Sequence, residues 1–510
     1  MQRLRTVNTA RHSKHKDTEN TAHAVFFRIV VYLHEMDKIL EALGAFIVAV
    51  VKAPYLLLKA VHDYITGTFG VSLDWILYPT MVVLFVYLVT RITLPYEITV
   101  AYMLLIVPFV APFVLLPMFY TKWMDFVHTQ FAVAQGQSIL EVLVPREVFK
   151  SPEAMEQVFM QLYQKAGPDN WVQGVWDGKS SPSYSFELVS TGGAVRLYIV
   201  CPKKKFKNMI ETQLYAHYPG IEVREVDIDY TAEIPSNLDG YGLFGFHFGK
   251  GGSRIGPPLR TYVDWGHQDF PKEEFKIDPM STTLEALANA GPGEHMWLQF
   301  VIVPHKSYDW KTGSLTERPE AKKDFEADLK KKFSVKVKKK GEDGKETEVE
   351  EMKRANEMDD HEKSLYTAYK RQMNKYFFDT RIRGIYVAPW SKFNGDRIAL
   401  LAGSLKGTET PGFGGLNPGR FRTDVDWPWW QNRGGKTTDR LKKAILEMYK
   451  NRSMENFEND YGTNASADAD TVLSTEELAT LWHIPSSTVM TPTLSRIEST
   501  RREAPANLPI

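Results

Sequence analysis

The sequence is poor in cysteine and has no surplus charge of either sign. Cys201 is the only cysteine among 510 residues, which excludes a disulfide scaffold and any cysteine-based zinc site. The 62 Lys and Arg cancel 62 Asp and Glu, so the chain as a whole has no electrostatic attraction for nucleic acid. Complete catalytic and nucleotide-binding signatures are also lacking. His34-Glu35 and His361-Glu362 start like a zinc-binding H-E-x-x-H helix, but Lys38 and Leu365 stand where the second histidine is required. No G-x-S-x-G nucleophile elbow occurs. Gly435-Lys436-Thr437 ends like a phosphate-binding loop, yet Trp430 occupies the position of the first glycine. Gly240-Tyr241-Gly242-Leu243-Phe244-Gly245 matches G-x-G-x-x-G, but Phe244, Phe246 and Phe248 then alternate as in a strand, not as in the helix a dinucleotide requires. No catalytic residue, cofactor or metal is therefore expected.

What the chain does hold is apolar material, unevenly placed. A 43% hydrophobic, 12% aromatic composition supports folded cores and, at this length, more than one folded unit. After a basic tail over 1–24, amphipathic helices are expected over 25–70. Within them Glu41, Lys52, Lys59 and Asp63 share one stripe of a helix lying at a membrane interface, with a third span as its rival. Residues 73–92 and 98–120 are almost free of charge and each long enough to cross a hydrocarbon layer of ~30 Å. They predict a transmembrane hairpin over 73–120, with no signal peptide before it. Arg3, Arg5, Arg11, Lys14 and Lys16 put both flanks in the cytoplasm by the positive-inside rule.

Beyond the hairpin the expected fold is α+β. Over 137–232 the pattern is β-α-β-β-α-β. Residues 139–144 form a strand, Met155, Val158, Phe159 and Leu162 mark a helix, and two strands flank Gly192-Gly193. Phe206, Ile210 and Leu214 mark a second helix, and 221–228 closes the unit. This is the ferredoxin-like order. A second mixed α/β domain follows over 255–406, interrupted by a charged insertion at 312–358 that reads as flexible or as a helical hairpin. A Gly/Trp-rich loop and basic helix occupy 407–465, and 466–510 reads as a linker tail. Lys203, Lys204, Lys205 and Lys207 form the densest basic cluster. It is read as a solvated helix face, with contact to anionic lipid or nucleic acid as the functional alternative.

Several segments taken together carry a resemblance: ILEVLVPREVFKSPEAMEQVF, CPKKKFKNMIETQLYAHYPGIEV, PLRTYVDW, DPMSTTLEALANAGPGEHMWLQFVIVP and LSTEELATLWHIPSSTVMTPTLSRIESTRREAPANLP. Over roughly residues 75–510 the sequence resembles the membrane-anchored, non-motor front half of conjugative-transfer ATPases of the type IV secretion class. The resemblance implies a multi-pass component of the bacterial inner membrane with cytoplasmic soluble domains. It would contact the lipid bilayer, serve an ATPase provided in trans and form a homo-oligomer, its contact with nucleic acid being undecided. In such proteins the last segment leads into a RecA-like motor, and here the sequence stops at Ile510 where that motor would begin, so no hydrolytic residue carries over. The tail from 474 onward is then an exposed docking linker, with Glu477, Leu478, Trp482, His483 and Pro485 as its contact residues. A stand-alone membrane scaffold or anionic-lipid binder is the alternative.

Overall fold

The computed structural model describes residues 116, 119–120, 122–145, 150–164, 167–250, 255–266, 278–309, 314–317, 320–340, 346–353, 355–420, 436–454, 470–486 and 496–497. All of these belong to the unit Leu116–Ile510; residues 1–115 lie outside the described residues, and with them the basic tail and the interfacial helices expected there.

Fourteen strands are described: β1 (Gln137–Pro145), β2 (Tyr184–Thr191), β3 (Ala194–Pro202), β4 (Glu222–Val226), β5 (Tyr241–Lys250), β6 (His295–Pro304), β7 (Lys306–Asp309), β8 (Ser314–Glu317), β9 (Ser334–Lys340), β10 (Glu346–Met352), β11 (Phe377–Pro389), β12 (Leu416–Arg420), β13 (Asp470–Ser474) and β14 (Arg496–Ile497). Ten of them make one sheet in the order β12-β5-β11-β6-β2-β3-β1, with β4 and β14 on β1 and β13 on β11. All pairings in it are antiparallel except that of β14, which joins Val144 and Pro145 in parallel.

The order is that of one motif used twice. Strands β4-β1-β3-β2, with helices Glu153–Leu162 and Lys203–His217, make the split β-α-β arrangement. Strands β12-β5-β11-β6, with helices Ser281–Ala288 and Gly395–Gly403, repeat it in the same internal order. The copies meet through β2 and β6, where Phe186 faces Phe300 and Leu188 faces Leu298 across an antiparallel ladder. This places a pseudo-twofold axis between the halves. The two α/β domains expected from sequence thus share one sheet.

Period-two alternation fixes which side chains go where. Tyr184, Phe186, Leu188, Leu298, Phe300 and Ile302 face the helical layer and meet Met155, Phe159, Phe206, Ile210, Leu284 and Leu287 there. The opposite face carries Val189 and Trp297, covered by Ile445, Leu446 and Tyr449 of the Lys436–Lys450 helix. Cys201 belongs to the helical-layer core, where burial pushes its thiol up to about 12. As the only thiol in the sequence, it is expected to resist an aromatic disulfide reagent in the native protein and to react fully in guanidinium. Rapid native labelling would contradict this packing.

The halves differ most between their second and third strands. In the first, Gly192 (φ +60°) and Gly193 (φ +91°) close a two-residue hairpin, a backbone path that glycine follows without steric cost. In the second, 72 residues intervene between Pro304 and Phe377. Where flexibility or a helical hairpin was expected at 312–358, the structure has a helix (Glu320–Phe333) and the β9–β10 hairpin. In that hairpin Lys336, Lys338 and Lys340 stand opposite Glu350, Glu348 and Glu346. Phe325, Leu329 and Phe333 anchor the helix on Leu365, Tyr369 and Phe377.

Two expectations are corrected. Among the described residues no helix is long and apolar enough to cross a membrane, so the transmembrane hairpin and the multi-pass inner-membrane placement built on it fall. Of residues 73–120 only Leu116, Phe119 and Tyr120 are described.

Candidate functional site

The segment that carries the strongest resemblance, from Ser474 to Ser486, lies inside the protein. Glu477 and Leu478 are buried, as are Trp482, His483 and Pro485. The exposed docking linker expected there is therefore corrected for residues 474–486; 487–495 and 498–510 lie outside the described residues.

Local sequence explains why a helix forms at this point. Ser474 accepts from the Glu477 N–H while Glu477 accepts from the Ser474 N–H, a reciprocal capping box that starts the Thr475–Leu481 helix. A polar segment tolerates burial only if its groups find partners; here the carboxylates and the imidazole find them, while Trp482 Nε1 is buried without one. Glu477 accepts from Lys250 Nζ at 2.9 Å and from the Leu259 N–H at 2.8 Å, in an ion pair whose side chains are both fully buried. Glu476 accepts from Arg371 Nε at 2.9 Å, from Gln372 at 3.2 Å and from the Thr261 hydroxyl. Burial pushes its carboxyl up, against the pull of Arg371. Glu156 accepts from Lys375 (2.6 Å), Tyr262 (2.7 Å) and Thr475 (3.0 Å).

The far end is held in the same manner. Both ring nitrogens of His483 face acceptors, Nδ1 the Ala479 carbonyl at 2.9 Å and Nε2 the Asp278 carboxylate at 3.1 Å. Burial pushes the Asp278 carboxyl up, but His483 and the N–H groups of Ser486 and Met280 more than offset this and leave it below the ordinary range. Trp482 meets Phe186 edge to face, 4.9 Å between centroids. The segment thus ties together the first half (Glu156, Phe186), the second half (Lys250, Asp278) and the insertion (Arg371, Gln372, Lys375).

The basic cluster begins the Lys203–His217 helix as expected, but it is only partly free. Lys203 and Lys207 both reach Glu225, at 2.8 and 2.5 Å. Hydrogen bonds from Lys203, Lys207 and Ser138 hold that carboxyl down at about 2. Lys205 lies over the Phe206 ring, and Lys204 is exposed. Glu225 thus offsets part of the positive charge of the cluster. Glu225→Gln is therefore expected to raise the salt needed to elute the protein from heparin, and unchanged elution would show that the lysines were already unscreened.

A second buried polar group sits on the opposite face of the sheet, and nothing in the sequence marked it. Glu187, fully buried in β2, accepts from Ser185 (2.7 Å), Tyr230 (2.8 Å), Gln299 (3.0 Å) and Arg452 Nε (2.8 Å). Arg452 also donates to Asp229 at 2.8 Å. Burial beside Glu187 pushes the phenols of Tyr230 and Tyr449 far up, so both remain neutral, and Tyr449 accepts from Tyr230 at 3.1 Å. The one available signal was a glutamate within a strand whose other residues are largely apolar. Its partner lies 265 positions away, beyond the reach of any periodicity.

Chemically, these groups are paired with one another, and neither cluster points a free nucleophile or base at a cavity. Among the described residues no set of three or more His, Cys, Asp or Glu is arranged to hold a metal ion. No curated protein matches the chain. A family match runs from just before β1 to the first residue of β14, which takes in both copies of the motif, the insertion and the buried C-terminal segment. Over residues 133–496, and thus through most of its length, the chain belongs to the family described as Domain of unknown function (DUF8128).

Proposed function

We propose that the protein is a non-catalytic platform subunit of a transfer machine of the type IV secretion or conjugative class, working with an ATPase supplied in trans. The observation that carries this reading is the anchorage of Ser474–Ser486. The stretch through which the sequence resembles the region leading into a motor is bonded at once to both halves of the sheet and to the insertion. A segment so rooted transmits force to the whole body instead of yielding locally, as a mount for a motor must. The buried charges support the same reading, because they are spent on one another.

The test is purification of the full chain from its own host after mild cross-linking, with mass-spectrometric identification of what accompanies it. A phosphate-loop ATPase of the secretion class is expected in stoichiometric amount, and it should be lost when 487–510 are deleted while the melting temperature is unchanged. Recovery of the chain without such an ATPase, or ATP hydrolysis by the purified chain alone, would overturn the proposal.

A further inference from the structure

The helix that leads into β1 carries more apolar surface than the body covers. Every described position from Leu116 to Gln135 is helical. One side packs inward through Val127, which is buried, and Phe131, which is half-buried. An amphipathic helix ordinarily has one apolar stripe, and the fold buries it. This helix has a second. Leu116, Phe119, Trp123, Phe126, Gln130 and Val133 follow one another at alternating spacings of three and four, the repeat that keeps a seam facing a neighbouring helix. Leu116, Phe119, Phe126 and Val133 remain 51–73% exposed, and so does Trp176 beside them.

The face is built rigidly. Trp123 stacks on Phe119 with 6.1 Å between centroids and meets Trp176 edge to face at 5.4 Å. Its indole N–H donates to the Val175 carbonyl at 2.8 Å, which pins the ring to the Trp171–Val175 helix. Just beyond that helix Gly178 (φ +65°) lets the two segments close up, since a Cβ there would come within 2.1 Å of the Val127 carbonyl oxygen. Rings fixed in this way lose little further freedom when a partner covers them.

Three observations select the occupant. The first is area. An aromatic side chain offers about 150–250 Å2, so the uncovered parts of this face amount to roughly 500 Å2 of apolar surface. Two such faces together supply roughly 1,000 Å2, the size from which a specific interface holds. The second is Gln130, the one polar member of the stripe. Its amide both donates and accepts, so the same residue of another copy satisfies it, as a lipid tail does not. The third is the charge at the rim. Lys122 and Asp125, both exposed, lie 3.6 Å apart and cancel, which leaves no basic flank for an anionic membrane surface and nothing to repel a like face. We propose that this face pairs two copies of the chain about a twofold axis, with the two Gln130 amides bonded across it.

Sedimentation velocity of the full chain over a concentration series tests the pairing. A dimer is expected with Kd of about 10 μM or tighter. Phe126→Lys should weaken it at least tenfold with an unchanged circular dichroism spectrum. If the spectrum changes, Val133→Lys serves as the deciding variant with the same expected loss. Leu400→Lys, on the exposed side of the Gly395–Gly403 helix in the second half, should leave the Kd as it is. Because the native Cys201 is buried, Gln130→Cys provides the one accessible thiol and should form a disulfide-linked dimer under mild oxidation. A chain that stays monomeric up to about 100 μM, an unchanged Kd in the deciding variant, an equal loss in Leu400→Lys, or no cross-link at position 130 would each overturn the proposal. So would a monomeric chain that floats with phosphatidylcholine vesicles and loses them on Phe126→Lys, which would give the face to lipid.

Discussion

Glu477→Ala is expected to destabilise the protein by about 3–5 kcal/mol, the range for removing one partner of a buried ion pair. Three groups lose their acceptor together: Lys250 Nζ, the Leu259 N–H and the Ser474 N–H. Lys250 is the costly one, because its side chain is fully buried and its other contacts are the Val472 carbonyl at 3.4 Å and the face of Phe325. At roughly 2–4 °C per kcal/mol for a large domain, the melting temperature should fall by about 6–20 °C. Glu477→Gln keeps acceptor capacity for the two backbone donors and should lose less. Hydrogen exchange should quicken at Ser474 and Leu259 in the alanine variant. A loss below about 1 kcal/mol would mean that the pair is not buried in solution.

Glu187→Ala is expected to act with similar force on the other face of the sheet, again about 3–5 kcal/mol. Arg452 keeps Asp229 but loses the carboxylate that holds its Nε and Nη2, while Tyr230 and Gln299 lose an acceptor. Adding Arg452→Met to Glu187→Ala should recover part of the loss, since a buried cation without its partner costs more than an apolar side chain in its place. Urea denaturation of the two single variants and the double variant measures this directly. Strict additivity would show that the two residues do not sense each other.

These substitutions also mark where sequence reasoning ran out. The first copy of the motif was legible because its strands and helices carry uninterrupted periods: Leu140, Val142 and Val144 alternate, and Phe206, Ile210 and Leu214 recur at helical spacing, all buried as a regular pattern requires. The second copy was not read as a repeat. Seventy-two residues separate strands that a two-residue turn joins in the first half, and β5, although Phe244, Phe246 and Phe248 alternate in it, lies before the 255–406 domain read from the sequence. The segment from Ser474 was misread for a different reason. Its Thr, Glu, His and Ser residues suggest solvent, and only the positions of Lys250, Arg371 and Asp278 make their burial tolerable. Those partners come from three elements distant in the chain. The greasy stretch over 73–120 was judged on hydropathy alone, and no described helix supports that reading.

The placement of Trp482 has a consequence for how the molecule is made. Its ring completes the layer over Phe186, a residue of the second strand, yet a ribosome delivers it almost three hundred residues later. Throughout that interval the nascent first copy carries an unroofed aromatic slot, the kind of surface on which holding chaperones act. Premature termination before Ser474 should therefore yield a sticky product and not merely a shorter one.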